Sequence, residues 1–352
     1  MTMTKNPELV KLITELNKKY GAETVVLGSD ITQHGGRITT GSLAVDVALG
    51  GGWPTNQWHE IIGEASHGKT AIALKTIAAN QAKNPEFTTV WIAAEEWVPS
   101  YAEFCGVDVS RVFVVATNVM EEAYDTAIKI VESKTVDCIV IDSLPALVPS
   151  TENEKEMEES TVGRGALLTN KFFRKVGKAS KRSLTEAERP FIGIMINQWR
   201  SKIGAGMYAD PRTTPGGLGK DYAFFTRMEV RRSEWIEAGK GEDKQRVGQA
   251  LKIRMIKNKS AAPQQVAVVD FYFADGGLCA KGEFDFAKEI MAVGSAYGVI
   301  TRGGAYYTYG DRRWMGKDAM IASIREEIDL KEALERDVLS SVKASSKHVN
   351  EE

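Results

Sequence analysis

With 352 residues, 43% of them hydrophobic and 26% charged, the chain can bury one large core with smaller appendages and has an ordinary globular composition. A formal net charge of −2 excludes a globally basic coat, so any polyanion site must be a local cluster of Lys and Arg. Three distant cysteines, Cys105, Cys138 and Cys279, exclude a disulfide framework or zinc site, and there is neither a signal peptide nor a membrane-length apolar run, so a soluble protein of a reducing cytoplasm is expected.

Asn6 and Pro7 read as the N-cap and first position of an amphipathic helix with Leu9, Val10, Leu12, Ile13 and Leu16 on one face, stopped at Gly21. Such an arm has to dock on something. Residues 22–40 read as strand and turn. From 58 to 197 the strand-like runs WHEII, TTVWIA, RVFVVA, CIVID and FIGIMIN alternate with helical stretches near 69–83, 120–133 and 164–182, which predicts a parallel sheet with crossover helices. Then TRMEVRR, ALKIRMI and QVAVVDFYF follow one another without a long helix and predict an antiparallel extension. From about 285, helical periodicity surrounds the aromatic hairpin AYYTYGDRRW, which suggests a small C-terminal unit. There is no internal repeat, and only about the last ten residues read as disordered.

The segment GEASHGKT, comprising Gly63, Glu64, Ala65, Ser66, His67, Gly68, Lys69 and Thr70, fits G-x-x-x-x-G-K-[ST] between a strand and a helix that continues through Ala71. Glycines let backbone N–H groups wrap phosphate oxygens, the helix N-terminus adds its dipole, Lys69 reaches the β and γ phosphates, and Thr70 ligates Mg²⁺. A ligand-free glycine turn would not explain both flanks. Mg²⁺ also needs a carboxylate, which CIVIDS supplies as Asp142, followed by Ser143. Hydrolysis needs a group to polarise water; Glu95 and Glu96 both follow the strand TTVWIA, and spacing does not choose between them.

The blocks ITTGSLAVDVALGGGWP, GEASHGKT, VDCIVIDSLPAL, INQWRSKIG, TTPGG and KNKSAAP resemble those of the RecA recombinases, in the family's order, from about residue 7 to 340. The resemblance implies an α/β fold: a RecA-type P-loop ATPase core (41–284) with a mostly parallel sheet extended by antiparallel strands. It further implies an N-terminal oligomerisation arm (1–40), a small α+β C-terminal domain (285–340) and a flexible tail (341–352). It implies a DNA-dependent ATPase that uses ATP and Mg²⁺, forms a homo-oligomeric helical filament on single-stranded DNA, and pairs and exchanges strands with homologous duplex. Single-strand binding and loader proteins would be further partners.

Carried over by position, Glu95 matches the catalytic glutamate, Gln198 the sensor of the γ-phosphate, and Tyr101 and Gly282 the base site. Lys257 and Lys259 match the paired lysines that reach the neighbour's ATP; without the motif they would read as solvated lysines on a turn. Two loops, 155–164 and 199–217, would hold DNA through Gly163, Arg164, Arg200, Lys202, Arg212, Gly216 and Gly217.

The chain departs from the family pattern in several places. Ala93 stands where an acid is usual, His67 where bacterial members have serine, Lys281 where tyrosine is frequent, and Leu167 where arginine occurs. One residue is missing between Glu95 and Tyr101, the second loop is one residue longer, and the tail is short and of mixed charge. These departures leave a bacteriophage-encoded member open. Competing readings are a hexameric helicase on the same core, disfavoured by the arm and by KNKSAAP, and a non-catalytic recombination mediator, disfavoured by intact Lys69, Asp142 and Glu95.

Overall fold

The computed structural model describes residues 6–21, 24–28, 36–153, 163–181, 188–201 and 212–348. Among them, the apolar runs expected as strands form one eight-stranded sheet. From one edge the order is Val112–Ala116, Thr89–Ala93, Cys138–Asp142, Ile192–Gln198, Gln57–Gly63, Thr226–Ala238, Gln245–Asn258 and Val266–Tyr272. The first five pair in parallel. The strand Thr226–Ala238 is also parallel to Gln57–Gly63, so the antiparallel extension begins one strand later than the sequence suggests. Residues 199–225, which include the short helix Gly217–Ala223, are long enough to return the chain for that parallel pairing.

The helices Lys69–Lys83 and Met120–Ser133 have the expected bounds, whereas the third, Arg164–Ala179, ends before 182. One apolar layer packs Ile72, Leu74 and Ile77 with Trp91, Val140 and Ile194. The other packs Tyr124, Val131 and Phe172 with Val90, Ile139 and Met195. The central strands are thus covered on both sides, as parallel strands must be.

At the N-terminus, Asn6 caps the helix Pro7–Tyr20 by accepting from the N–H groups of Glu8 and Leu9. No residue of this helix is buried, and Leu9 and Leu12 stand 41% and 50% exposed. At one edge of the sheet, the strand Val112–Ala116 exposes 63% of Phe113. An apolar stripe and an unpaired apolar strand edge therefore both lack partners within the described residues.

The C-terminal segment is a three-stranded meander, Thr301–Gly303, Tyr306–Tyr309 and Arg312–Met315, flanked by the helices Phe286–Ala296, Lys317–Glu326 and Ile328–His348. The last helix reaches His348, past residue 341 where the sequence suggests a flexible tail. Ile290, Met320 and Leu334 share one apolar cluster with Leu43 and Val45 of the helix Leu43–Leu49. A buried carboxylate pins this junction: Glu289 accepts from Ser42 Oγ at 2.7 Å and from the Ala44 N–H at 2.9 Å.

Burial pushes the Glu289 carboxyl up to about 7. Between its ordinary value and about 7 the folded chain holds a proton that the unfolded chain releases, so this group's contribution to stability falls as pH rises through that window. Glu289→Gln cannot ionise. Denaturation of both proteins should show the wild type losing roughly 1–2 kcal/mol relative to the variant between pH 5.5 and 7.5, with little further change above.

Candidate functional site

Four functional segments leave the carboxyl ends of neighbouring parallel strands, where α/β sheets open a crevice. The phosphate turn follows Gln57–Gly63, Glu95 follows Thr89–Ala93, and Asp142 and Gln198 end their own strands. Register brings them together, with Gly63 opposite Gln198 and Ala93 opposite Asp142. The resulting cavity, of about 480 Å³, is lined on one side by Ser66, Gly68, Lys69, Thr70, Ala71, Glu95, Glu96, Tyr101 and Asp142. This volume suits a nucleotide-sized ligand.

The phosphate turn is shaped by close backbone approach. A Cβ on Gly63 would lie 2.4 Å from the Val230 carbonyl oxygen, so no larger residue fits there without moving that strand. Ser66 and Gly68 both adopt positive φ, at 60° and 80°, and coil the chain before the helix Lys69–Lys83. The first-turn N–H groups of that helix have no intrahelical acceptors and are available to an anion. Lys69 is buried, and its ammonium donates to the Glu64 carbonyl at 2.6 Å; burial lowers its pKa. His67 approaches Glu64 at 4.0 Å, and its buried Nδ1 has no hydrogen-bond partner among the described residues.

Thr70 donates its hydroxyl to Asp142 Oδ2 at 3.1 Å. Burial and the nearby Glu95 charge push the Asp142 carboxyl up to about 7. A cation placed between Thr70 and Asp142 would relieve that cost, so this oxygen pair fits Mg²⁺. The Asp142 carbonyl accepts from both the Ala94 and Glu95 N–H groups, at 2.9 and 3.0 Å, and Ser143 donates its hydroxyl to the Glu95 carboxylate. Glu95 and Glu96 both line the cavity, but it is the Glu95 charge that acts on Asp142 and Lys69.

Tyr101 stacks on Phe104 with ring centroids 5.7 Å apart, and burial raises its hydroxyl pKa. Gly282 supports this wall from behind. At φ +84° its backbone lies so close to Phe104 that a Cβ would meet the Phe104 carbonyl oxygen at 1.9 Å. Lys281 approaches Asp275 at 3.8 Å.

The second wall of the cavity, Trp235, Gln249, Phe271 and Phe273, was not singled out by sequence reasoning. It comes from the antiparallel strands, where Trp235 pairs with Gln249 and Gln249 with Phe271 in register. Period-two alternation puts these residues on one face, but nothing local in the sequence says that this face meets the phosphate turn. Arg232 and Arg246 stack over Trp235, at 3.9 and 4.6 Å from its ring.

Lys257 and Lys259 lie away from this cavity. Eight residues of extended strand separate Lys257 from cavity-lining Gln249, about 26 Å at the usual rise. The Lys257 ammonium donates to the carbonyls of Asp221 and Tyr222, at 2.6 and 2.9 Å, and Lys259 donates to Tyr222 at 3.2 Å. Both thereby hold the C-terminal end of the helix Gly217–Ala223. Burial, with Lys259 and Arg227 nearby, lowers Lys257 to about 8.

Of the residues expected on DNA, Gly163 caps the helix begun by Arg164, whose guanidinium is 3.9 Å from Glu121. Arg200–Ser201 pairs with Arg212–Thr213 as a short antiparallel ladder that closes the base of the second loop. Arg200 is exposed, whereas Arg212 stacks over Trp199 and pairs with Glu229 at 2.7 Å. Arg231 and Arg254, missed in the sequence, join Arg212 around buried Glu229, at 2.7 and 2.9 Å. Gly216 and Gly217 begin the helix after the loop. Lys202 and most of the segment 155–164 lie outside the described residues.

Residues 8–278 match the family model of the RecA N-terminal domain. The chain is 34% identical to Protein RecA of Rubrobacter xylanophilus over 342 residues, covering 96% of this chain and 94% of that protein. It is 35% identical to Protein RecA of Bacillus mycoides over 326 residues, 92% and 89% of the two chains. To Protein RecA of Lactococcus lactis subsp. cremoris it is 34% identical over 308 residues, 87% and 76%. With the family model spanning most of the length and the phosphate turn, strand-end acids and sheet order in place, this chain belongs to the RecA family.

Proposed function

We propose that the chain is a DNA-dependent ATPase that assembles head to tail on single-stranded DNA in the cytoplasm and promotes pairing and strand exchange with homologous duplex. The observation that carries this reading is the meeting of Lys69, Thr70, Asp142 and Glu95 in one nucleotide-sized cavity. Bound Mg²⁺ would neutralise phosphate charge. Lys69 and the first-turn N–H groups hold the triphosphate, Thr70 and Asp142 hold the cation, and Glu95, oriented by Ser143, accepts a proton from the attacking water. Gln198, in register with Gly63, would follow the γ-phosphate.

Two features support assembly. Lys257, near the end of its strand, and Lys259, just past that end, sit too far along to serve the cavity of their own subunit, which favours a role on a neighbour's phosphates. The exposed arm stripe and the Phe113 edge supply apolar surfaces at different places, as head-to-tail contact requires. Arg164, Arg200 and Arg212, with the glycines around them, form the DNA side of this reading, joined by Lys202; single-strand binding and loader proteins would act on the filament.

The test is Glu95→Gln. It should keep ATP and DNA binding while slowing DNA-stimulated phosphate release by roughly 10²-fold or more, so that filaments persist. Unchanged turnover, with Glu96→Gln inactive instead, would move the catalytic role to Glu96.

A further inference from the structure

A fully buried carboxylate outside the nucleotide cavity joins three segments on which the proposed function depends. Glu60 lies mid-strand in Gln57–Gly63 with no solvent exposure. Its Oε1 accepts from Asn197 Nδ2 at 2.7 Å and faces the Lys220 ammonium at 3.2 Å, while its Oε2 accepts from Arg227 Nε at 2.6 Å. Each partner belongs to a different functional segment. Asn197 immediately precedes Gln198 and accepts its N–H at 2.9 Å, Lys220 lies on the helix that follows the second DNA loop, and Arg227 pairs across the ladder with Lys257.

The network continues into the loop. Lys220, also fully buried, donates to Thr214 Oγ1 and to Asp221 Oδ1, both at 2.6 Å, and Asn197 donates a second bond to the Pro215 carbonyl at 3.3 Å. Thr214 and Pro215 stand near the end of the loop, just before Gly216 caps its helix. Arg227 meets Asp221 at 3.0 Å, and the main-chain carbonyl of that same Asp221 holds the Lys257 ammonium. Buried charges keep their partners tightly, because an unpaired charge in a low-dielectric interior is costly. A shift of Asn197 therefore cannot leave Glu60 undersupplied without Lys220 and Arg227 adjusting.

We propose that Glu60 is a positioning residue that couples the nucleotide-sensing end of the Gln198 strand to the second DNA loop and to Lys257. The inference rests on the functional reading above and adds to it the route by which nucleotide state reaches DNA affinity. When Gln198 moves toward a γ-phosphate, Asn197 moves with it, and Glu60 passes the displacement to Lys220 and so to Thr214. The carboxylate supplies the link because, among the described residues, it touches Asn197, Lys220 and Arg227 together.

The experiment measures single-stranded DNA affinity of the full chain with a non-hydrolysable ATP analogue and with ADP, and takes the ratio. In the wild type this ratio should fall in the roughly 5–150-fold range of allosteric couplings. Three variants are compared: Glu60→Gln, the charge-balanced pair Glu60→Gln with Lys220→Met, and Thr214→Val, which cuts the same route at its loop end without stranding a charge. Each folded variant should bind fluorescent nucleotide within about 3-fold of wild type, yet its DNA affinity ratio should collapse to within about 2-fold of unity. A merely structural Glu60 would predict recovery of the ratio in the charge-balanced pair. A wild-type ratio in that pair, in folded Glu60→Gln or in Thr214→Val overturns the proposal. A wild type that binds nucleotide but shows no such ratio overturns the functional reading along with it.

Discussion

Lys69→Ala is expected to remove nucleotide binding, with affinity for ATP falling by at least ~10²-fold, because a buried ammonium facing two phosphates makes charge-assisted bonds that no neighbour replaces. Among the described residues the Lys69 ammonium has one hydrogen-bond acceptor, the Glu64 carbonyl, a neutral partner that it can leave for an anion. The variant should fold, since alanine suits the first turn of a helix and the lysine's burial already disfavours its charge. DNA affinity should become the same with and without ATP. Fluorescent-nucleotide titration and DNA binding measured on one preparation decide the matter: near-normal ATP affinity in a folded Lys69→Ala protein would refute the phosphate-site assignment.

The second large effect concerns catalysis shared between copies. Lys257→Ala with Lys259→Ala should leave each subunit's cavity able to bind nucleotide, while DNA-stimulated hydrolysis falls by about 10³-fold or more, the usual worth of a cation supplied in trans to a phosphoryl-transfer site. In one subunit both ammonium groups are occupied by carbonyls of Asp221 and Tyr222, so reaching a neighbour's phosphate means exchanging those bonds for a charged acceptor. Mixing this double variant with Lys69→Ala gives a sharper result. Each inactive protein lacks a different half of the interface, so co-assembled filaments should regain a fraction of the rate. Verified mixed filaments that stay inactive would exclude catalysis in trans.

Much of the site could be read in the sequence because its parts are contiguous or strand-terminal. The phosphate turn is one eight-residue run, and Asp142 is marked by the apolar strand that it ends. Glu95 and Glu96 were indistinguishable by spacing; the resemblance pointed to Glu95, and in the structure that acid receives the Ser143 hydroxyl and acts on Asp142. Other elements left no local signal. Trp235 and Gln249 reach the cavity only through pairing between strands distant in sequence from the phosphate turn. Arg231 shares a strand face with Glu229 two residues before it, whereas Arg254 reaches that carboxylate only through cross-strand pairing, which leaves no local mark. The parallel placement of Thr226–Ala238 was hidden because its return connection carries a short helix rather than a long one.

The Asp142 carbonyl, which receives the N–H groups of both Ala94 and Glu95, has a consequence for kinetic dissection of this site. The separation between the two acids is set by main-chain atoms that no side-chain substitution removes. Asp142→Asn or Glu95→Gln therefore changes charge while the main-chain spacing survives, and the two positions suit a double-mutant cycle. Any departure from additivity between the single and double variants then reports the electrostatic coupling between the two carboxylates.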